Sequence, residues 1–233
     1  MNIKHLFTHR PSAFNSCHRE DIIDAFGTWI KQYFKDDWDA YLFTFMFNQL
    51  PGSQETRRDQ MHEEITGVYR KLVTRVIRKP KSVENANLLP RGVFFLDKPA
   101  YKRQKQRVRD VLVNDGLHMH GVVVSPRKSR LKVGLDEHFR DHRSLYETAK
   151  LYRIDVQPID HSPVHTTDYA GKALKTRQFA EDDVLILPRS IKELTQKSLL
   201  TDSDARKIRD IQSRFNVSNE VARALLANKR AFK

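Results

Sequence analysis

The segment that most constrains how this chain can fold is Tyr41-Leu42-Phe43-Thr44-Phe45-Met46-Phe47, a continuous apolar and aromatic run closed by Asn48 and by Pro51-Gly52. A run of this length and composition is a strand buried on both faces, which belongs inside a sheet. Helices must flank it. Residues 19–35 place Ile22, Ile23, Phe26, Trp29, Ile30 and Phe34 on one helical face, and from Gln54 to Arg78 Met61, Ile65, Val68, Tyr69, Leu72, Val73, Val76 and Ile77 recur at three-to-four spacing until Pro80 stops the pattern. Residues 91–96 and 117–124 read as two further strands that pair antiparallel across a long polar arm. A short helix is expected over 143–151, a strand over 152–157, a helix over 168–175 capped by Thr166, Thr167 or Asp168, and helices over 190–199 and 203–230 with a break at Asn216-Val217-Ser218. The order is that of an α+β fold, an antiparallel sheet with helices packed on one side. The expected division is a compact domain over 1–188 and a basic helical C-terminal extension over 189–233.

Charge narrows the partners. The 233 residues hold 42 Lys+Arg against 29 Asp+Glu, a net charge of +13 with a pI near 9.9, which points to a polyanion: nucleic acid first, an anionic membrane surface second. A hydrophobic fraction of 39% supports a core and argues against disorder. The single cysteine, Cys17, excludes an internal disulfide and a thiolate zinc site and suggests a reducing compartment. Without an apolar run near ~18 residues or a signal-peptide core at the N-terminus, the expectation is a cytoplasmic protein that neither spans a membrane nor is secreted.

The sharpest local feature is Gly116-Leu117-His118-Met119-His120-Gly121-Val122-Val123-Val124. Strand side chains alternate, so His118 and His120 share a face about 7 Å apart and can hold one divalent ion, while Met119 enters the other layer. An isolated His-x-His is often coincidence. Here the pair lies in an otherwise apolar strand, where unpaired polar groups are costly, and Gly121 admits a close neighbour. A cupin would want a glutamate downstream and a mostly β chain, and a zinc hydrolase a larger barrel with further ligands; neither fits. Some fifty residues on, Thr167-Asp168-Tyr169-Ala170-Gly171-Lys172-Ala173-Leu174-Lys175 would put Tyr169 and Lys172 on one helical face, with Lys175 a step beyond.

In order, the Phe43-Thr44 strand, the His118-Met119-His120 strand and the Tyr169-to-Lys172 helix resemble the HUH endonuclease superfamily, specifically its single-tyrosine rolling-circle replication initiators, over roughly residues 38–180. The resemblance implies a ferredoxin- or RRM-like core. It also implies that Tyr169 attacks a phosphodiester of single-stranded DNA, leaving a 5′-phosphotyrosine and a free 3′-OH, and that the ester can be resealed onto another 3′-OH. His118 and His120 would hold Mn²⁺ or Mg²⁺ against the phosphate, and Lys172 would neutralise developing charge. Ala173 stands where some relatives carry a second tyrosine. A third ligand is expected from a neighbouring strand. Asp97, ending the Val93-Phe95-Asp97 face, is the first choice, with Asp115, Glu84 and His62 as rivals. A single-tyrosine transposase acting on hairpin ends and a non-catalytic single-strand-binding module are the alternatives.

The basic residues fall in two clusters either side of the His strand in sequence. Lys98, Lys102, Arg103, Lys105, Arg107 and Arg109 occupy the arm, with Tyr101 able to stack on a base, and Arg127, Lys128, Arg130 and Lys132 follow the strand. Together with Lys175 they suggest a DNA path beside the histidines. The tail over 190–233 could equally bind duplex DNA, another subunit or the main domain. No Gly-x-x-x-x-Gly-Lys loop occurs, so unwinding would fall to a partner such as a host helicase.

Overall fold

The computed structural model describes residues 14–34, 37–80, 82–98, 108–176, 178–180 and 183–188. Tyr101, Lys102, Arg103, Lys105 and Arg107 of the arm, and the helices expected after residue 188, lie outside the described residues.

The elements are α1 (Phe14–Phe34), β1 (Trp38–Phe47), α2 (Gln54–Val76), β2 (Arg91–Asp97), α3 (Val108–Leu112), β3 (His118–Pro126), α4 (Leu135–Asp141), β4 (Leu151–Pro158), α5 (Pro163–Ala170), α6 (Lys172–Lys175) and β5 (Leu185–Leu187). The five strands form one sheet in the order β4-β1-β3-β2-β5, with every neighbouring pair antiparallel. Within it, β1-α2-β2-β3-α4-β4 is a ferredoxin-like split unit, to which α1, α5, α6 and β5 are added. The aromatic run is interior as expected, hydrogen-bonded to β3 on one side and β4 on the other.

Each face of β1 meets a different layer. Tyr41, Phe43, Phe45 and Phe47 pack with Met61, Ile65, Val68, Leu72 and Val76 of α2 and with Leu135 and Phe139 of α4. Ala40 lies with Ile22, Ile23, Phe26 and Ile30 of α1, and Leu42 and Trp38 pack against the same cluster. The helices therefore cover both faces of the sheet, not one. A strand apolar on both faces requires this second layer. Ser53 caps α2 by accepting a hydrogen bond from the Thr56 amide at 3.3 Å, and Pro80 follows its end.

Three local expectations need correction. The helix expected at 143–151 lies earlier: α4 starts behind Gly134, buries Leu135, His138 and Phe139, and has given way to a single 3-10 turn at Arg143–Leu145. The helix expected at 168–175 is two helices. Ser162 caps the first, accepting from the His165 amide with Pro163 in the first turn, so Thr166 and Thr167 are interior and buried. The chain then breaks at Gly171, where a Cβ would stand 2.9 Å from Ile23 Cδ1 of α1. β5 was not expected, although Val184-Leu185-Ile186-Leu187 before Pro188 is a short apolar run; it extends the sheet beside β2. No described helix is long and apolar enough to cross a membrane.

Candidate metal centre

The turn entering β3 fixes where its histidines start. Asn114, Asp115 and Gly116 all have positive φ, at 56°, 56° and 75°. Only glycine adopts this region freely, and Asn and Asp tolerate it best among the rest. Asn114, 1% exposed, holds the turn to the end of β1: its Oδ1 accepts from the Leu50 amide at 2.7 Å and its Nδ2 donates to the Asn48 carbonyl at 2.9 Å. The chain enters β3 in a register that sets His118 opposite Asp97 and His120 opposite Phe95 on β2 and Thr44 on β1.

Asp97, His118 and His120 thereby converge, with one ligand atom from each within 4.8 Å of the others, all three buried. The two Nε2 atoms are 3.0 Å apart, and Asp97 Oδ2 lies 3.6 Å from that of His118 and 3.5 Å from that of His120. His118 Nδ1 donates to the Gly116 carbonyl at 2.9 Å. A carbonyl only accepts, so this bond fixes the proton on Nδ1 and leaves the Nε2 lone pair facing the cluster. His120 Nδ1 lies 2.9 Å from Thr44 Oγ1, which can accept its proton in the same way. The Nε2 atoms share a hydrogen bond, and with the carboxylate oxygen they converge on one point; this donor set can hold a metal ion. Burial pushes the pKa of both histidines down. For His118 the Gly116 carbonyl and Asp97 push it partly back, whereas neighbouring His118 and Lys172 depress His120 further, well below 6.5. Both imidazoles are thus neutral, the ligating form, at neutral pH.

Asp97 is the third member, as expected from its place at the end of its strand face. The rivals lie elsewhere. Asp115 is exposed and paired with Arg57 at 2.7 Å, Glu84 is exposed, and His62 is on α2 across the sheet, 3.3 Å from the Asp183 carbonyl.

Tyr169 is brought to the same place. Its ring centroid is 5.9 Å from that of His120, and 41% of the residue is exposed. Lys172 does not share one helix with Tyr169, because Gly171 separates α5 from α6, yet its Nζ lies 4.7 Å from the Tyr169 ring centroid. The same Nζ is ion-paired with Asp97 Oδ2 at 2.7 Å. Lys175 is ion-paired with Asp168, next to Tyr169.

The basic clusters separate in space. Lys98 follows Asp97 directly and its amide donates to Asp97 Oδ1 at 2.9 Å. Arg109 also lies at this end, donating to Asn48 Oδ1 at 2.6 Å with its guanidinium 4.0 Å from the Tyr152 ring centroid. Arg127, Lys128, Arg130 and Lys132 do not flank the histidines. Eight steps of β3 at ~3.3 Å each carry the chain roughly 26 Å from His118 to Pro126, so residues adjacent to a strand in sequence end up across the sheet. There Arg127 pairs with Asp39 at 2.8 Å, Lys128 with Asp37 at 3.5 Å, and Arg130 donates to the Thr74 carbonyl at 3.0 Å.

No protein-family model, no curated protein sequence and no solved structure matches this chain. What the site can do is therefore argued from its own groups. Three of these escaped the sequence reading as site components. Thr44 orients His120, and its signal was a lone hydroxyl inside an aromatic run. Asn114 sets the register of β3, and its signal was the Asn-Asp-Gly tract before the strand. The third is the Arg153–Asp155 pair on β4, joined at 2.7 Å, with Arg153 also 3.2 Å from Asp110; Asp155 continues the His120–Thr44 cross-strand row. Only the sheet order puts Asp155 in the row of Thr44 and His120.

Proposed function

We propose that the protein nicks and rejoins single-stranded DNA through a 5′-phosphotyrosine intermediate, as a single-tyrosine HUH initiator of rolling-circle replication would. One observation carries the reading: a half-exposed tyrosine from α5, a lysine from α6 and a buried Asp-His-His donor set from β2 and β3 meet within one cluster, although 72 residues separate Asp97 from Tyr169. A core aromatic would be buried, whereas Tyr169 is 41% exposed directly beside three convergent donor groups.

In this reading the Tyr169 Oη attacks the scissile phosphorus. A bond forms between Oη and phosphorus, the bond from phosphorus to O3′ breaks, the phenolic proton is lost, and O3′ leaves as a hydroxyl. Asp97, His118 and His120 hold Mn²⁺ or Mg²⁺, which supplies Lewis-acid polarisation of a non-bridging phosphate oxygen when bound. Lys172 neutralises charge that develops on the phosphoryl oxygens. Lys98, Arg109 and Lys175 lie at the same end of the sheet and suit the flanking phosphates, while the exposed Tyr169 face leaves the strand a way in. Because the phosphotyrosine ester conserves the bond, attack by another 3′-OH reverses the step and reseals DNA.

The test is to incubate the full-length protein with a randomised labelled single-stranded DNA library and Mn²⁺, and to look for a denaturation-resistant adduct. The expected result is an adduct on Tyr169 by peptide mass, absent in Tyr169→Phe and in the absence of divalent metal. No adduct on any strand, or one formed equally by Tyr169→Phe, rejects the assignment.

A further inference from the structure

Asp97 is 1% exposed, and a bare carboxylate at that depth is costly unless a positive charge answers it. Its two oxygens are divided. Oδ1 accepts from the Lys98 amide at 2.9 Å, and Oδ2, the oxygen facing both imidazoles, is 2.7 Å from Lys172 Nζ. The ammonium and any ion bound by the two Nε2 atoms must therefore use the same oxygen. A dication and an ammonium on one atom repel strongly in a site this dry.

We propose that Lys172 is a built-in counter-ion which a divalent metal must displace from Asp97, so that loading the metal and delivering the lysine to Tyr169 and its substrate are one event. This rests on reading Asp97, His118 and His120 as a metal centre. The fold allows the exchange. Lys172 opens α6 directly after the Gly171 break, its side chain is 34% exposed, and its four-carbon stem can turn without moving the backbone. Nζ lies 4.7 Å from the Tyr169 ring centroid, so an ammonium released from Asp97 remains beside the tyrosine. Metal-free protein then holds its lysine inward against Asp97, and the metal-loaded protein presents the ammonium at the tyrosine where a phosphodiester would lie. The arrangement couples metal occupancy to assembly of the nucleophile's charge environment, and protects Asp97 from standing uncompensated when no metal is bound.

Two measurements on the full-length protein decide this, both with Mn²⁺ alone as the probe. Mn²⁺ affinity is read by the electron-paramagnetic signal of the free ion for the native chain and for Lys172→Met. The methionine variant should bind on the order of tenfold tighter, since the competing and repelling charge is gone, while its metal-free form melts at a lower temperature. Amine labelling of the native chain followed by peptide mass mapping needs no variant. Lys172 should react faster under saturating Mn²⁺ than without it. Equal or weaker Mn²⁺ binding by Lys172→Met, or Lys172 labelling that Mn²⁺ leaves unchanged or slows, overturns the lysine's role while the metal centre stands. Failure of both forms to bind Mn²⁺ overturns both.

Discussion

Along β3, Met119, Gly121 and Val123 point into the layer of α2, whereas His118, His120, Val122 and Val124 point towards α1, α5 and α6, so one strand serves two surfaces of opposite character. The α2 face is apolar over its full length, from Tyr41 to Phe47 on β1, and a 23-residue helix closes it. Its aromatic rings interlock: Phe45 stacks against Phe43 and meets Phe94 edge-on, and Phe94 lies so close over Gly121 that an added Cβ would stand 2.0 Å from its ring. The α1 face is apolar at the Val122–Val124 end and stays partly apolar as far as Phe95, opposite His120. At the His118 end it is covered by two short helices broken at Gly171, and there the polar groups are gathered. Both faces carry a hydrophobic core, but only the α1 face also gathers the polar groups of the site, which allows ligand groups to be held on a rigid strand without themselves holding the fold.

The largest effect that could break this contrast comes from Phe45→Ala. Removing a ring that is 1% exposed should cost about 3–5 kcal/mol in denaturant unfolding. His120→Ala on the opposite face should leave metal-free stability far less changed while abolishing the rise in melting temperature that Mn²⁺ gives the native chain. Equal loss of stability from both would show that the two faces are not separable.

Acid sharpens the contrast, because both faces hold buried histidines. Burial lowers the pKa of His118 and His120 at the site, and of His138 on α4, where neighbouring His142 and Arg75 add to the effect and Asp141 opposes it. The unfolded chain titrates near 6.5, so below that pH it binds protons that the folded chain does not. Stability should be flat above about pH 6.5 and fall as the pH drops beneath it, by up to about 1.4 kcal/mol per pH unit for each proton taken up on unfolding. His138 Nε2 shares a 2.9 Å hydrogen bond with Tyr146 Oη. His138→Gln should therefore reduce the slope by the α2-face share, leaving that of the two site histidines. Denaturant midpoints between pH 5 and 8 measure this, and a slope unchanged in His138→Gln would place the whole effect at the metal centre.

How much of this was legible in the sequence follows from the range of each signal. Local pattern located the first four strands and both long helices, because the continuous apolar run of β1 and the three-to-four spacing of α2 are local properties. The His-x-His pair and Asp97 were legible because strand alternation and antiparallel pairing together dictate which residues share a face. Helix ends were read less well. Thr166, Thr167 and Asp168 are as able to cap as Ser162, and only the Pro163 that follows Ser162 distinguishes it. The second helical layer was implied by the two-sided β1 yet not drawn, since which helix covers which face is a tertiary choice. Cluster positions were misplaced for a related reason: proximity to His120 in sequence says nothing about Arg127 once a strand intervenes. That Asp155 shares a cross-strand row with Thr44 and His120 depended on β4 pairing with β1, which no local pattern encodes.

The finest test concerns a single hydroxyl. Thr44 is the polar residue of the β1 aromatic run that reaches the site, and its Oγ1 lies 2.9 Å from His120 Nδ1. Thr44→Val keeps the shape and suits a strand, so the metal-free fold should melt within a degree or two of the native chain. What the substitution removes is the hydroxyl bonded to His120 Nδ1, which holds the ring with its Nε2 turned towards Asp97 and His118. Loss of such a supporting bond weakens metal binding by about 10–100-fold, and the lower part of that range is expected here because Phe95, opposite His120 on β2, still confines the ring. Thr44→Ser, which restores the hydroxyl, should recover most of the affinity. If Thr44→Val binds Mn²⁺ as tightly as the native chain, packing alone orients His120, and the site face is then specified by the same shape complementarity as the α2 face and not by its hydrogen bonds.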